Sequence, residues 1–285
     1  MMTAYGGQKM SILRKLFSAM LVVMTAASCV KVKTVPADTL HVYFFDAGKA
    51  DAILLYTAES AVLIDTGETG FGTKIRSYMN SYGIDHLDAL IITHFDKDHV
   101  GGAAEILGTY PVDTVYISDS PKDSDEYKAF TAALEKAGMS AVTVTDEESV
   151  LLNLDDVRYE IDGPDVRDYD ADDSNNSSLI TSVTYGTSSF LFTGDAEEER
   201  LEEYLADHDA QYDVLKVPHH GNWQKALKAL VEITDPEIAV ITCSKNEGGE
   251  EKTLNLLSKN GIRTFLTYEG PVLITSDGET LTAEY

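Results

Sequence analysis

Cysteine is nearly missing from this chain, with Cys29 and Cys243 alone among 285 residues. No disulfide framework can hold such a fold, whatever the redox compartment. Basic residues are scarce as well. Lys and Arg number 22 against 48 Asp and Glu, a formal charge of −26. A surface of that sign repels anionic lipid and nucleic acid at long range, so an anionic substrate must be drawn by a local positive centre. Internal repeats and long low-complexity tracts are absent too; the most biased segment, Asp162 to Ser178, is rich in Asp, Asn and Ser and reads as a polar loop. With 44% hydrophobic residues the chain still builds a substantial core, in one large domain or two small ones.

The N-terminus reads as a leader. Arg14 and Lys15 precede an uncharged run from Leu16 to Val30, 15 residues long, where a membrane span needs about 20. A basic start, a short apolar run and small residues describe a secretory signal. Its "AASC" ending resembles a bacterial lipoprotein cleavage box. That implies a signal over 1–28, a lipidated Cys29, a linker over 29–38 and a working domain over 39–285; an ordinary signal peptide cut nearby is the alternative. Removing 1–28 takes away Lys9, Arg14 and Lys15 and no acid. Nineteen basic residues then face 48 acidic ones, a charge of −29, and Cys243 stands alone.

The element order is legible from apolar periodicity. "HVYFFDA", "AILLYT" and "AVLIDTG" read as short strands, "FGTKIRSYMNSYG" as a helix ending at Gly83, and "LDALIIT" as a buried strand. A helix begins in "VGGAAEILG", "DTVYIS" is a strand, and "SDEYKAFTAALEKAG" is an amphipathic helix stopped at Gly138. "SSLITSVTYG" and "SSFLFTGD" form a hairpin turning at Gly186. "AEEERLEEYLAD" is a helix, "DVLKVPHHG" a strand, and a helix covers about Trp223 to Glu232. "EIAVIT", "EEKTLNLLSKNG", "IRTFLTY" and "PVLITSD" complete the chain as strand, helix and two strands. Strands followed by strand–helix alternation, twice over, suit two packed sheets with helices on both outer faces.

Three polar groups fall where apolar strands end: His94, Asp96, Asp98 and His99 in "HFDKDH", Asp195 in "FTGD", and His219 with His220. Loops after strand ends are where such proteins assemble sites. Two carboxylates and two imidazoles within six positions repel one another or bury polar groups unless something neutralises them. A divalent cation does so, taking imidazole nitrogen and carboxylate oxygen together. One such group alone reads as a solvated loop capping the next helix; three ending buried strands point to a metal.

"HFDKDHVGG" resembles the HxHxDHxGG signature of metallo-β-lactamase-fold hydrolases, with Asp96 at the second His. Together with "FFDAGKADAILL", "VLIDTG", "NNSSLI", "FLFTGD", "DVLKVPHHG" and "GPVLITSDG", it is similar to the metallo-hydrolase domain of ComEC, the bacterial competence DNA-uptake channel. The likeness runs from about Leu40 to Leu281, without the channel's membrane segments. It implies an α/β fold, a four-layer αββα sandwich of two mixed sheets. It also implies two divalent ions. His94 and Asp96 would bind one, and Asp98 and His99 the other; Asp195 would bridge, and one of His219 and His220 would complete the second site. His220, directly before Gly, is favoured. Asp65 would support the metal-bearing loops, and Asp46 similarly. No His stands between His99 and His208, where relatives often carry a ligand, so Asn175 either faces the metals or holds substrate, with Ser178 beside it; plain turn residues are the alternative. Lys216 either adds positive charge near the substrate or lies on the strand's exposed face.

Two ions about 3.5–4 Å apart lower the pKa of a bridging water toward about 7, making hydroxide available. Asp98, His219 and His220 are the candidate catalytic groups, the non-ligand histidine serving as proton donor or phosphate binder. Zinc is the default, and the Asp96 carboxylate moves the first site toward manganese. The pattern departs from the family at Lys49, Ala50 and Asn222 and in lacking a "GHP" segment near Cys243, all of which bear on substrate more than on metal. The expectation is an exported metal-dependent hydrolase of phosphoester bonds. Its substrate would be a phosphodiester or other small anion, with nucleic acid a candidate, and membrane contact would come only through a lipid anchor. The alternatives are a small-substrate surface hydrolase, acting on a phosphorylcholine ester, lactam or lactone, and a non-catalytic surface-binding lipoprotein.

Overall fold

Most strands of this protein are apolar on both faces because both faces are covered. In Ala61–Ile64, Val62 and Ile64 point into one core while Ala61 and Leu63 point into another. In Ile238–Ile241 the same division separates Ile238 and Val240 from Ala239 and Ile241. The computed structural model describes residues 32–146, 149–165 and 174–285. Cys29 and the leader lie outside these residues, as does much of the polar segment after Asp162.

Val32–Tyr285 builds two sheets. The first has eight strands, in spatial order Leu281–Glu284, Val272–Ser276, Leu40–Phe44, Ile53–Tyr56, Ala61–Ile64, Leu87–Ile92, Val112–Ser118 and Val142–Val144. The second has seven: Arg263–Leu266, Ile238–Ile241, Val214–Lys216, Ser188–Phe192, Ile180–Tyr185, Val157–Asp162 and Val150–Leu154. Their facing sides share a core containing Val42, Phe44, Ile91, Tyr159, Phe190, Phe192 and Val240. Each such large apolar side chain stabilises the fold by about 1.5–3 kcal/mol relative to exposure.

Helices Gly72–Ser81, Ala103–Leu107 and Asp125–Ala137 cover the outside of the first sheet through Ile75, Met79, Ile106, Phe130 and Leu134. Glu198–Asp207, Ala226–Thr234 and Glu251–Lys259 cover the second through Leu201, Tyr204, Leu227, Leu230 and Leu257. Helix–sheet–sheet–helix is the layering expected. Sequence signals set the ends of Asp125–Ala137: Ser124 accepts a hydrogen bond from the Tyr127 N–H, and Gly138 closes the last turn at φ 69°. Such a cap contributes about 1 kcal/mol.

Three expectations are corrected. The helix expected from Trp223 begins at Ala226, whose N–H donates to Glu198 at 2.7 Å. The helix of "VGGAAEILG" is two short pieces, Lys97–Val100 and Ala103–Leu107. Between them Gly101 and Gly102 meet the loop at residues 66–69 so closely that a Cβ at Gly102 would lie 2.5 Å from the Thr66 carbonyl oxygen. Finally, Leu281–Glu284 adds an edge strand that the apolar periodicity does not mark separately. Among the described residues no helix is long and apolar enough to cross a membrane.

Parallel pairing places the site. Ala61–Ile64, Leu87–Ile92 and Val112–Ser118 run parallel in one sheet, as do Ser188–Phe192, Val214–Lys216 and Ile238–Ile241 in the other. Their C-terminal ends therefore share edges, and the loops that follow converge.

Candidate metal centre

Each candidate side chain leaves the end of a buried strand. His94 follows Leu87–Ile92, while Asp98 and His99 lie on the helical turn Lys97–Val100 just beyond. Asp195 follows Ser188–Phe192, and His220 follows Val214–Lys216. Ligating atoms of Asp98, His99, Asp195 and His220 lie within 4.8 Å of one another. Asp195 Oδ2 is 3.3 Å from His99 Nε2 and 3.1 Å from His220 Nε2, and Asp98 Oδ2 is 3.4 Å from His220 Nε2. The sequence left the paired histidines undivided. The structure turns His220, fully buried, toward Asp98 and Asp195, and His219 toward the mouth, where its Nδ1 lies 2.8 Å from Glu197. This division requires left-handed backbone at both, φ 46° and 53°, followed by Gly221 at 76°. Such conformations cost about 1–3 kcal/mol each in non-glycine residues and persist only where the surroundings over-determine them.

The rings are fixed from behind. His99 Nδ1 donates to Asp65 Oδ2 at 2.8 Å, and His220 Nδ1 donates to the Thr242 carbonyl at 2.8 Å. Thr93 Oγ1 donates to Asp65 and accepts from His94 Nδ1 at 3.1 Å. With the proton on Nδ1 in each ring, Nε2 is left as a bare lone pair. All three Nε2 atoms are buried and none makes a hydrogen bond; the contacts of His99 and His220 to Asp195 lack hydrogen-bond alignment. Buried polar atoms are almost always satisfied. Two of these orphans, on His99 and His220, converge with the Asp98 and Asp195 carboxylates and fit a divalent cation, while that of His94 lies 3.9 Å from Asp96.

The electrostatics agree. Burial would lower His99 and His220, but the Asp195 carboxylate, helped by Asp65 beside His99 and by Asp98 beside His220, holds both above the usual imidazole range. His94, 4.1 Å from His99 between ring centroids, moves the other way, to about 4, through burial and the charge of its neighbour. Asp195, though burial opposes it, is kept well below the ordinary carboxylate range by His220, His99 and Lys216. The deep acids thus demand positive charge, which protons or a metal ion can supply.

Other candidate residues fall differently. Asp65 is fully buried and takes hydrogen bonds from the Thr93 N–H and Oγ1 as well as His99. Asp46 is exposed and supports nothing in the centre. The carboxylate that does is Asp51, buried, paired with Lys216, bonded by the Thr242 hydroxyl and 3.5 Å from His220 Nδ1. It stands in the same "DAGKADA" motif, five residues on, and its place between two small alanines was the available signal. Lys216 is neither on an exposed face nor open to substrate: it is fully buried, with Nζ donating to the Gly194 carbonyl at 2.7 Å and to Asp195 Oδ1 at 3.4 Å. Ser178 is buried too; its hydroxyl accepts from the Asp195 N–H at 3.1 Å and lies 3.4 Å from His94 Nδ1, bracing the loop and the ring. Asn175 donates its amide to Glu197 at 2.8 Å, to the oxygen that also meets His219. Asp96 is partly exposed and 3.9 Å from His94 Nε2, with Lys122 and Ser174, both missed by sequence reading, on its Oδ1.

Residues 46–245 match the model of the Metallo-beta-lactamase superfamily, and the chain belongs to that superfamily, whose members are generally hydrolases. ComE operon protein 3 of Bacillus subtilis is 30% identical over 253 residues, covering 80% of this chain and 32% of that protein. Recombination protein 2 of Haemophilus influenzae is 29% identical over 246 residues, covering 84% and 28% respectively. The chain spans at most a third of the length of these relatives. The expected likeness to a ComEC-type metallo-hydrolase domain therefore holds. Among solved structures, the metallo-beta-lactamase fold protein YhfI of Bacillus subtilis superposes with a TM-score of 0.55 at 11% identity, over 86% of this chain and 99% of YhfI. That likeness speaks for the fold alone.

Proposed function

We propose that this protein is an exported, divalent-cation-dependent hydrolase of phosphoester bonds, with phosphodiesterase or nuclease chemistry. The reading is carried by the buried, hydrogen-bond-free Nε2 atoms of His99 and His220, whose ligating positions lie within 4.8 Å of those of Asp98 and Asp195. Competence-named relatives support it. A divalent ion supplies, when bound, a Lewis acid and a water acidic enough to ionise near neutral pH.

The chain's own groups do the rest. Asp98, His99, Asp195 and His220 hold the ion, and Asp65 and the Thr242 carbonyl orient the rings. Lys216 pairs with the buried Asp51 and lies 3.4 Å from Asp195. His219, one-fifth exposed and held by Glu197, stands at the mouth to give a proton to the leaving oxygen. Zinc is the expected ion and manganese its rival, since the carboxylate oxygens among the donors favour the harder cation. The two-ion count implied by the resemblance needs a second full donor set, and among the described residues Asp96, 3.9 Å away, is the carboxylate beside the His94 Nε2. The leader ending at Cys29 would export the chain and anchor it by lipid.

A net charge of −26 favours a small phosphodiester over long DNA. The test is a side-by-side assay of bis-p-nitrophenyl phosphate, single-stranded DNA and nitrocefin with zinc or manganese. Cleavage of the chromogenic diester, with little salt dependence, is expected. Turnover of nitrocefin alone, or of none of the three, overturns the phosphoester reading.

A further inference from the structure

The two halves of the centre are furnished differently, and the difference bears on how many metal ions it holds. On the His99 side four donors converge. On the His94 side the donors are His94 Nε2, buried and without a hydrogen bond, and Asp96 Oδ1, 3.9 Å away. That same oxygen already carries two donors, the Lys122 ammonium and the Ser174 hydroxyl, and Lys122 Nζ also reaches Ser174 Oγ at 3.1 Å. Lys122 lies beyond the strand Val112–Ser118, the parallel neighbour of Leu87–Ile92, so the fold itself brings it to the Asp96 loop.

Among the described residues the missing donor is not replaced. Asn175 gives its amide to Glu197, and Ser178 is engaged with the Asp195 N–H. A dication at His94 would therefore have two or three protein donors, one of them already neutralised, and an ammonium within contact distance. Like charges that close repel strongly where water is scarce.

We propose that this centre binds a single divalent ion, on the His99 side, and that the Lys122 ammonium is the built-in cation of the His94 side. The proposal rests on the metal reading above. It gives the centre a second positive charge that needs no metal supply, and one that is 38% exposed at its side chain and so open to an anionic oxygen of substrate.

The test is metal stoichiometry by plasma mass spectrometry after saturation with zinc or manganese and removal of loosely held ions on a chelating resin. Wild type and Lys122→Arg are expected to retain one ion per chain and Lys122→Met two, with unchanged circular dichroism for each. Two ions in the wild type overturn the proposal while leaving the metal centre intact. One ion in Lys122→Met overturns the claim that the ammonium excludes the second. No retained ion in the wild type removes the metal reading itself.

Discussion

The deep and shallow halves of the centre are built on opposite plans. Around His99 and His220 nearly every polar group is buried and answered: Asp65, Asp51, Lys216 and Thr242 form a closed network behind the rings. Around Asp96 the groups are half-exposed, and the partners Lys122 and Ser174 come from a loop and the start of a 3-10 turn. A closed network fixes geometry at high cost if broken, because a stranded buried charge has no water to turn to. A loop-borne contact is cheap to alter. The deep half suits a resident ion, and the shallow half suits exchange with substrate.

The most damaging change to this contrast is Asp195→Ala. It removes the carboxylate between His99 and His220, and both metal content and turnover are expected to fall to background. Unchanged metal content would show that the deep half does not hold the ion. Lys216→Met comes next. It strands Asp51 in the interior at about 3–5 kcal/mol, so thermal unfolding should come roughly 10 °C earlier, with part recovered by adding Asp51→Asn. A melting point within a degree of wild type would contradict the closed network.

Smaller effects separate the halves by affinity. Asp65→Asn loosens the His99 ring and should weaken metal binding by about 10–100-fold in titration calorimetry, whereas Ser174→Ala should leave it nearly unchanged. Equal effects would erase the distinction. Least disruptive is a probe of Cys243, buried behind His220 at the end of Ile238–Ile241. Burial pushes its thiol up to about 11, so at pH 8 only about one part in a thousand is thiolate. Ellman's reagent should react with it only on unfolding; rapid reaction in the native state would reveal that the deep half opens.

Much of this was readable in advance. "LDALIIT" and "EIAVIT" are near-continuous apolar runs broken only by Asp88 and Glu237, as a doubly covered strand requires, and they announced the layered sheets. "HFDKDH" compresses its donors into six positions, so local sequence was enough to find them. Lys216 was misjudged for a physical reason. A lysine amid "DVLKVP" reads as a charge on a strand's open face, and its burial makes sense only once Asp51 and Asp195 are known to meet it. Asp46 and Asp51 share one motif; which of them turned inward depended on the loop's path. Lys122, in "SDSPKDS", carries no local mark at all.

By itself, then, the order of residues determined which strands would be buried and which side chains would sit at their ends, because periodicity and adjacency act over a few positions. Only the tertiary structure decided which charges would be answered and by what. Thr242 reaches Asp51 across 191 residues and Ser174 reaches Asp96 across 78. Pairings of that range are set by where the two sheets bring their edges together, and an ammonium or a carboxylate gains its meaning there from the charge it faces.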